Sequence, residues 1–456
     1  MRMKTTLIGF AVVLVAVSGI NLRVGAAKQV KTLPAQIIAV GIPGASTISA
    51  VGQFLPGGPI HDNPTFAALT QPGRVLDPSR ILVGSTSNFG APLANPQELE
   101  GSLLSLDPQT HTILHIPSDF AQSGNQASTL NGRVQLYTAQ TAAFRNGVNN
   151  PLAVTANFTG VSNPLGLSIN NAFGRLWPAN APHGLSGSGT STILDPTGIP
   201  LAGAPNVQAG GVFAGNLTPR LPAQLIRGAL DAGAVGTAFL SRSPDGSGRA
   251  VFCVVLADGS IVQEHTGRAV DGLAPAGTVN PLLGRSWNHG HDTVGSTTPR
   301  LGAIVNYTPT RILYLSEPFA NSILALELSD DGSVFHVAGM RRIFSDVLNQ
   351  PVDLAPAEIE TEHPNWSSNT TLEEGADFYV ANRGDNTIVR MRQNGSVVAV
   401  GRVRLADGRS LGNARLNGIA VSPDGSTIWV TVVGHLPGLG NVQGAVLALP
   451  KFGEDD

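Results

Sequence analysis

Cysteine is all but missing from this chain: Cys253 is the one thiol in 456 residues. No disulfide within the chain can brace the fold, and no cysteine-rich metal knot can form. Cys253 lies in the apolar string VFCVV at 251–255. That setting reads as a small buried hydrophobe, because a reactive thiol needs a basic and partly exposed site. Charge is scarce as well. Charged residues make up 13% of the chain and the formal net charge is −3, so the chain as a whole carries no footprint for nucleic acid or an anionic membrane. Long stretches of good helix formers are lacking, and 54 Gly and 32 Pro interrupt what periodicity there is. Residues 221–232 (LPAQLIRGALDA) alone look locally helical. Phosphate-binding loops, dinucleotide-binding glycine patterns and haem-attachment motifs are absent from the sequence.

A single apolar run stands out, at the start. Arg2 and Lys4 precede apolar residues 7–20, and the small residues VGAA follow at 24–27. The run is shorter than the ~20 residues that span a bilayer, which is the pattern of an export signal. The expected organisation is a signal peptide at 1–27 and one domain at 28–456, periplasmic or extracellular and monomeric. Arg23, close to the cleavage point, keeps a retained anchor as the alternative. After cleavage no second apolar run is long enough to read as a transmembrane segment.

What the chain does have is a repeat. RILYLS at 311–316 is followed by NSILAL at 321–326, DFYVAN at 377–382 by NTIVRM at 386–391, and TIWVT at 427–431 by GAVLAL at 444–449. RILVG at 80–84 leads to GSLLSL at 101–106, and RAVFC at 249–253 and RLW at 175–177 fit the first half of the pattern. A preceding strand recurs in GIAVSPDG at 418–425 and GTAFLSRSPDG at 236–246. Pro-Asp-Gly suits a tight turn, since Pro presets φ, Asp bonds the nearby backbone and Gly takes positive φ. Asp258-Gly, Asp331-Gly and Asn394-Gly then mark a second hairpin in each unit. Strand, turn, strand, loop, strand, turn, strand is a four-stranded antiparallel sheet. Second strands near 80, 175, 249, 311, 377 and 427 give an all-β, single β-propeller of six blades, or seven if 132–137 (GRVQLY) founds another. The β-prone residues 35–41 are placed to close the ring against the last blade.

GIAVSPDGSTIWV at 418–430 and FYVANRGDNTIV at 378–389 resemble the YVTN and NHL repeats of bacterial propellers, lactonase-like and gluconolactonase-like proteins among them. The resemblance implies the propeller fold. It also implies a metal that such lactonases hold in the central channel with Glu, Asn and Asp from different blades. Those ligands do not align onto this chain residue by residue.

The densest chemistry lies in WNHGHD at 287–292. His289, His291 and Asp292 could act as general acid and base, or His289 and His291 could share one divalent metal ion, since His-x-His on extended backbone turns both rings to one side. Glu358, Glu360, Glu362 and His363 form a second group, and Glu362 and His363 could complete that metal site; a solvated acidic loop is the plainer account. His61 and Asp62 lie in a turn-rich stretch that reads as structural. Arg383-Gly-Asp385 falls where the repeat needs a turn. Two functions follow as expectations: a module binding a protein, peptide, glycan or small molecule at the propeller face or channel, or a metal-dependent hydrolase or lyase at the channel.

Overall fold

A computed structural model describes residues 29–40, 42, 45–50, 81–86, 101–107, 112–115, 135–138, 143–146, 164–170, 175–180, 190–192, 206–208, 212–216, 224–227, 234–242, 244–246, 250–256, 261–265, 278–283, 300–306, 311–318, 320–357, 371–372, 375–422, 425–440 and 443–453. The first strand, β1 (Val30–Val40), is set apart from the blade that follows it. The first blade is β2 (Ala45–Ala50), β3 (Ile81–Thr86), β4 (Gly101–Asp107) and β5 (Thr112–His115). A hairpin of β6 (Gln135–Thr138) and β7 (Ala143–Asn146) comes next. The second blade starts with β8 (Pro164–Asn170) and β9 (Arg175–Asn180). It carries a hairpin of β10 (Thr190–Thr192) and β11 (Asn206–Gln208), then finishes with β12 (Val212–Asn216) and β13 (Gln224–Arg227).

The third blade is β14 (Ala234–Arg242), β15 (Ala250–Leu256), β16 (Ile261–His265) and β17 (Thr278–Leu283). The fourth is β18 (Arg300–Asn306), β19 (Arg311–Glu317), β20 (Ser322–Asp330) and β21 (Phe335–Phe344). The fifth has β22 (Pro351–Pro356), then the short β23 (Thr371–Leu372), which leaves the blade, then β24 (Asp377–Asn382), β25 (Thr387–Arg392) and β26 (Val397–Leu405). The sixth is β27 (Arg415–Val421), β28 (Thr427–His435) and β29 (Gln443–Pro450), with β1 as its outer strand. Neighbouring strands within every blade pair antiparallel. The first strands β2, β8, β14, β18, β22 and β27 touch in turn, and β27 returns to β2. That closed circuit makes the fold a β-propeller.

Burial on both sides of each sheet explains the apolar runs. In the fourth blade Leu313 and Leu315 pack toward Val251 and Cys253 of the third. Tyr314 and Ile323 pack the other way, against Phe378 and Val389 of the fifth. Tyr379 and Ile388 then meet Ile419 and Val430 of the sixth, and Ala420 and Trp429 meet Ile48 and Ile81 of the first. Alternate side chains thus fill alternate inter-blade layers, so a strand with two buried faces reads as continuous rather than alternating.

The turns follow their residues. Asp331 accepts from the Ser333 and Val334 amides at 2.9 and 3.0 Å, with Gly332 at φ 83. Hydrogen bonds from the Ser333 hydroxyl and the Val334 amide, with one from His336, hold its carboxyl well below the usual carboxylate range. Gly395 takes φ 89 in the matching turn of the fifth blade, and Gly425 takes φ 71 in the first-to-second turn of the sixth.

Two expectations need correction. Residues 224–227 form a strand, not a helix: β13 pairs with β12, and an open sheet edge outweighs weak local helix propensity. The string at 132–137 yields β6, but β6 pairs with β7 and with Ala39 and Val40 of β1. Among the described residues it is a hairpin on the rim of the sixth blade, not a further four-stranded unit.

Candidate functional site

In a four-stranded meander the links from second to third strand and from fourth strand to the next blade leave at one end. The first-to-second and third-to-fourth links leave at the other. The ring therefore has a linker-bearing face, and the chain spends extra length there. The β6–β7 hairpin lies in a link between blades, and the β10–β11 hairpin in a second-to-third link. Both spring from this face.

Side chains on the same face stitch neighbouring blades together. Asn386, at φ 58 in the turn before β25, donates through Nδ2 to the Ala414 carbonyl at 2.9 Å and accepts from the Leu416 amide at 3.1 Å. Asn321, at φ 49 in the same place of the fourth blade, accepts from the Gln350 amide at 2.7 Å. The third copy has Gly444 there, at φ 73, and Ile42 of the next link comes so close that a Cβ would overlap its carbonyl oxygen.

Around the inner strands a polar chain runs through three blades. Asp353 of β22 accepts from the Leu354 amide at 3.0 Å and from the Ile419 amide of β27 at 2.9 Å. Asn417 of β27 donates to the Ala45 carbonyl of β2 at 2.7 Å and accepts from Arg383 at 3.4 Å. Asn417 is fully buried. Further out, Gln263 clamps the Phe335 backbone at 2.6 and 2.8 Å, tying the third blade to the fourth. Glu317, 4% exposed, takes Ser322 Oγ at 2.6 Å and the Arg342 guanidinium at 3.0–3.2 Å. These groups missed notice in the sequence because each is a single polar letter inside a repeat. Asn321 and Asn386, which recur at one repeat position, were the one readable signal.

His289, His291, Asp292, Glu358, Glu360, Glu362, His363, His61 and Asp62 all lie outside the described residues. Their described flanks are informative. The segment with the histidines joins β17 to the start of β18. The segment with the glutamates leaves β22 and arrives at β23, whose Thr371 and Leu372 pair with Val305 and Asn306 at the end of β18. The two segments are anchored at opposite ends of one inner strand. Among the described residues no three His, Cys, Asp or Glu side chains converge on a point. Cys253 is buried, and burial pushes its thiol up to about 12, as its apolar string implied.

No protein-family model matches the chain, and no curated protein matches it. Solved structures similar to it include regucalcin, a calcium-binding protein, from Agrobacterium tumefaciens. That likeness is 11% in identity over 92% of this chain and 95% of the other, with a TM-score of 0.42. A streptogramin B lyase matches at 11% over 91% and 97%, with a TM-score of 0.40. The GH93 alpha-L-arabinofuranosidase of Fusarium graminearum matches at 9% over 92% and 98%, with a TM-score of 0.43.

Proposed function

We propose that the protein is an exported binding propeller whose linker-bearing face holds a protein, peptide or glycan. One observation carries the reading: both described hairpins outside the blades emerge on that face. Loops on a rigid scaffold are where recognition is built, because their sequence can vary without disturbing the core. On the fifth and sixth blades that face is braced, since Asn386, Asn417 and Asp353 are bonded to the backbone of neighbouring blades. Export rests on the order of basic, apolar and small residues in 1–27. Cleavage after Ala27 would leave β1, which starts at Val30, complete.

The test replaces 181–211, which carries β10 and β11, with a short Gly-Ser turn joining β9 to β12. Wild type and variant are then compared on glycan and peptide arrays. Ligands bound by the wild type and lost by an equally stable variant are the expected result. Identical array patterns would count against the proposal. So would stoichiometric metal in the tag-free wild type that disappears in the His289→Ala, His291→Ala double variant, which would support the metal-dependent hydrolase or lyase instead.

A further inference from the structure

From the open edge of the fourth blade, we infer that the protein pairs with a second copy of itself, β21 against β21, antiparallel about a two-fold axis at Arg342. This departs from the monomer expected of the sequence. The outer strand of a blade leaves one row of backbone groups unpaired. Proteins protect such rows by keeping them short, by proline or by covering them. The other five outer edges are each protected in one of these ways. β5 and β13 have four residues each. β17 has six, the exposed Pro281 among them. β26 is covered by residues 30–35 of β1, and β1 carries β6 against Ala39 and Val40. β21 has ten residues, ends its sheet, and contains neither Lys nor Pro.

The row that β21 offers reads alike from both ends. Its register slips once, before Gly339, so 339–344 is regular and Met340, Arg342 and Phe344 share one side of the strand. Met340 is 50% exposed and Phe344 66%, two of the three large hydrophobics exposed among the described residues. Apolar, arginine, apolar is its own complement. With Arg342 on the axis, Met340 of each copy lies opposite Phe344 of the other. A two-fold interface needs that self-complementarity, because one patch must serve both sides. Each cross-strand pair sets a polarizable thioether against an aromatic ring, and the axis makes two such pairs.

Charge does not oppose the pairing. Two bare guanidiniums facing each other on the axis would repel. Each Arg342 is instead held by its own Glu317 at 3.0–3.2 Å, so two ion pairs meet there. Arg341 lies on the other side of the strand and donates to the Gln393 carbonyl of the fifth blade at 2.9 Å. His336, outside the paired stretch, is bound to Asp331 at 2.8 Å. The exposed row thus recognises through apolar match and backbone hydrogen bonds, and a second copy supplies both.

A strand edge buries less than the roughly 800 Å² per partner of tight complexes, so a dimer in the micromolar range is expected. Sedimentation velocity on the tag-free wild type, from about 1 to about 200 μM, should show the shift from monomer to dimer. In a Met340→Lys, Phe344→Lys double variant the shift should move to at least about tenfold higher concentration, with the melting temperature unchanged. The register is checked by oxidising Met340→Cys and Phe344→Cys proteins, separately and mixed. Directly opposite positions lie within disulfide reach, and the native Cys253 is buried. The mixture should form a disulfide-linked dimer, and neither variant alone should do so appreciably. A monomer throughout the range, a dimer that survives the two lysines, or equal cross-linking in the mixture and the separate variants would overturn the inference. The linker-bearing face takes no part in this contact, so the result stands apart from the array test.

Discussion

Asn386 shows how a single side chain can join two blades. Its amide satisfies one carbonyl and one amide at the entry of β27, both in buried surroundings, while its backbone occupies the left-handed region. Replacing it by Ala leaves both backbone groups without this partner and keeps the strained φ, so a loss of roughly 2–4 kcal/mol is expected. Asn321 makes one bond of this kind at an exposed site, and Asn321→Ala should cost only about 1 kcal/mol. Urea unfolding of the two variants checks the order, and a larger loss at Asn321 would refute the account. Gly444 reaches the same end by another route, for there the two backbones touch directly. At Cys253 the relevant force is desolvation. Burial disfavours the thiolate, so the thiol stays protonated until well above neutral pH. Labelling by a disulfide reagent at pH 8 should be negligible in the folded protein and rapid in concentrated urea; fast labelling of the native protein would contradict the burial.

At the scale of elements, β1 does two jobs that the sequence disclosed unequally. Its second half, Gln36 to Val40, pairs antiparallel with β29 and supplies the missing fourth strand of the sixth blade, which the β-prone string at 35–41 announced. Its first half pairs parallel with β26 of the fifth blade, from Val30 opposite Val400 to Ala35 opposite Leu405. Nothing in residues 30–35 signals that, because parallel pairing depends on which edge is open, a property of the assembled ring. The helical reading of 221–232 failed for the same reason: an open edge at β12 decided the state of β13. Leu33 turns inward and lies on Gly401, where a Cβ would overlap its side chain. Leu33→Ala should cost about 2–4 kcal/mol as a core truncation. Gly401→Ala should also destabilise, by steric overlap. The two changes should couple, the double variant being more stable than their sum by at least ~1 kcal/mol, since the first removes the atoms the second strikes. Strict additivity in urea unfolding would show that Leu33 does not seat on Gly401.

For the whole molecule, closure joins residues far apart in sequence, with Gln36 opposite Ala448. The blade plan was legible because its spacing is written in turns and apolar runs; the second strands β3, β9, β15, β19, β24 and β28 start at 81, 175, 250, 311, 377 and 427. The linker-bearing face was not, since Asn386, Asn417 and Asp353 meet their backbone partners on neighbouring blades only once the ring has assembled. The same long-range closure sets the order of folding. Blades one to five are each built from contiguous chain, whereas the sixth needs the first strand, β1, to be brought across the full ring to β29. Long loops close slowly, even though their thermodynamic cost grows only weakly with length. Trp429 reports on that step, being buried between Ala420 of the sixth blade and Ile48 and Ile81 of the first. In a variant with the other tryptophans changed to Phe, stopped-flow refolding should show strand circular dichroism rising first. The Trp429 fluorescence should reach its native value only in the slowest phase. Removing residues 28–40 should abolish that last phase and leave Trp429 quenchable by iodide. Should Trp429 become protected as early as the strands form, the ring would be closing before its blades, and the latch would not be β1.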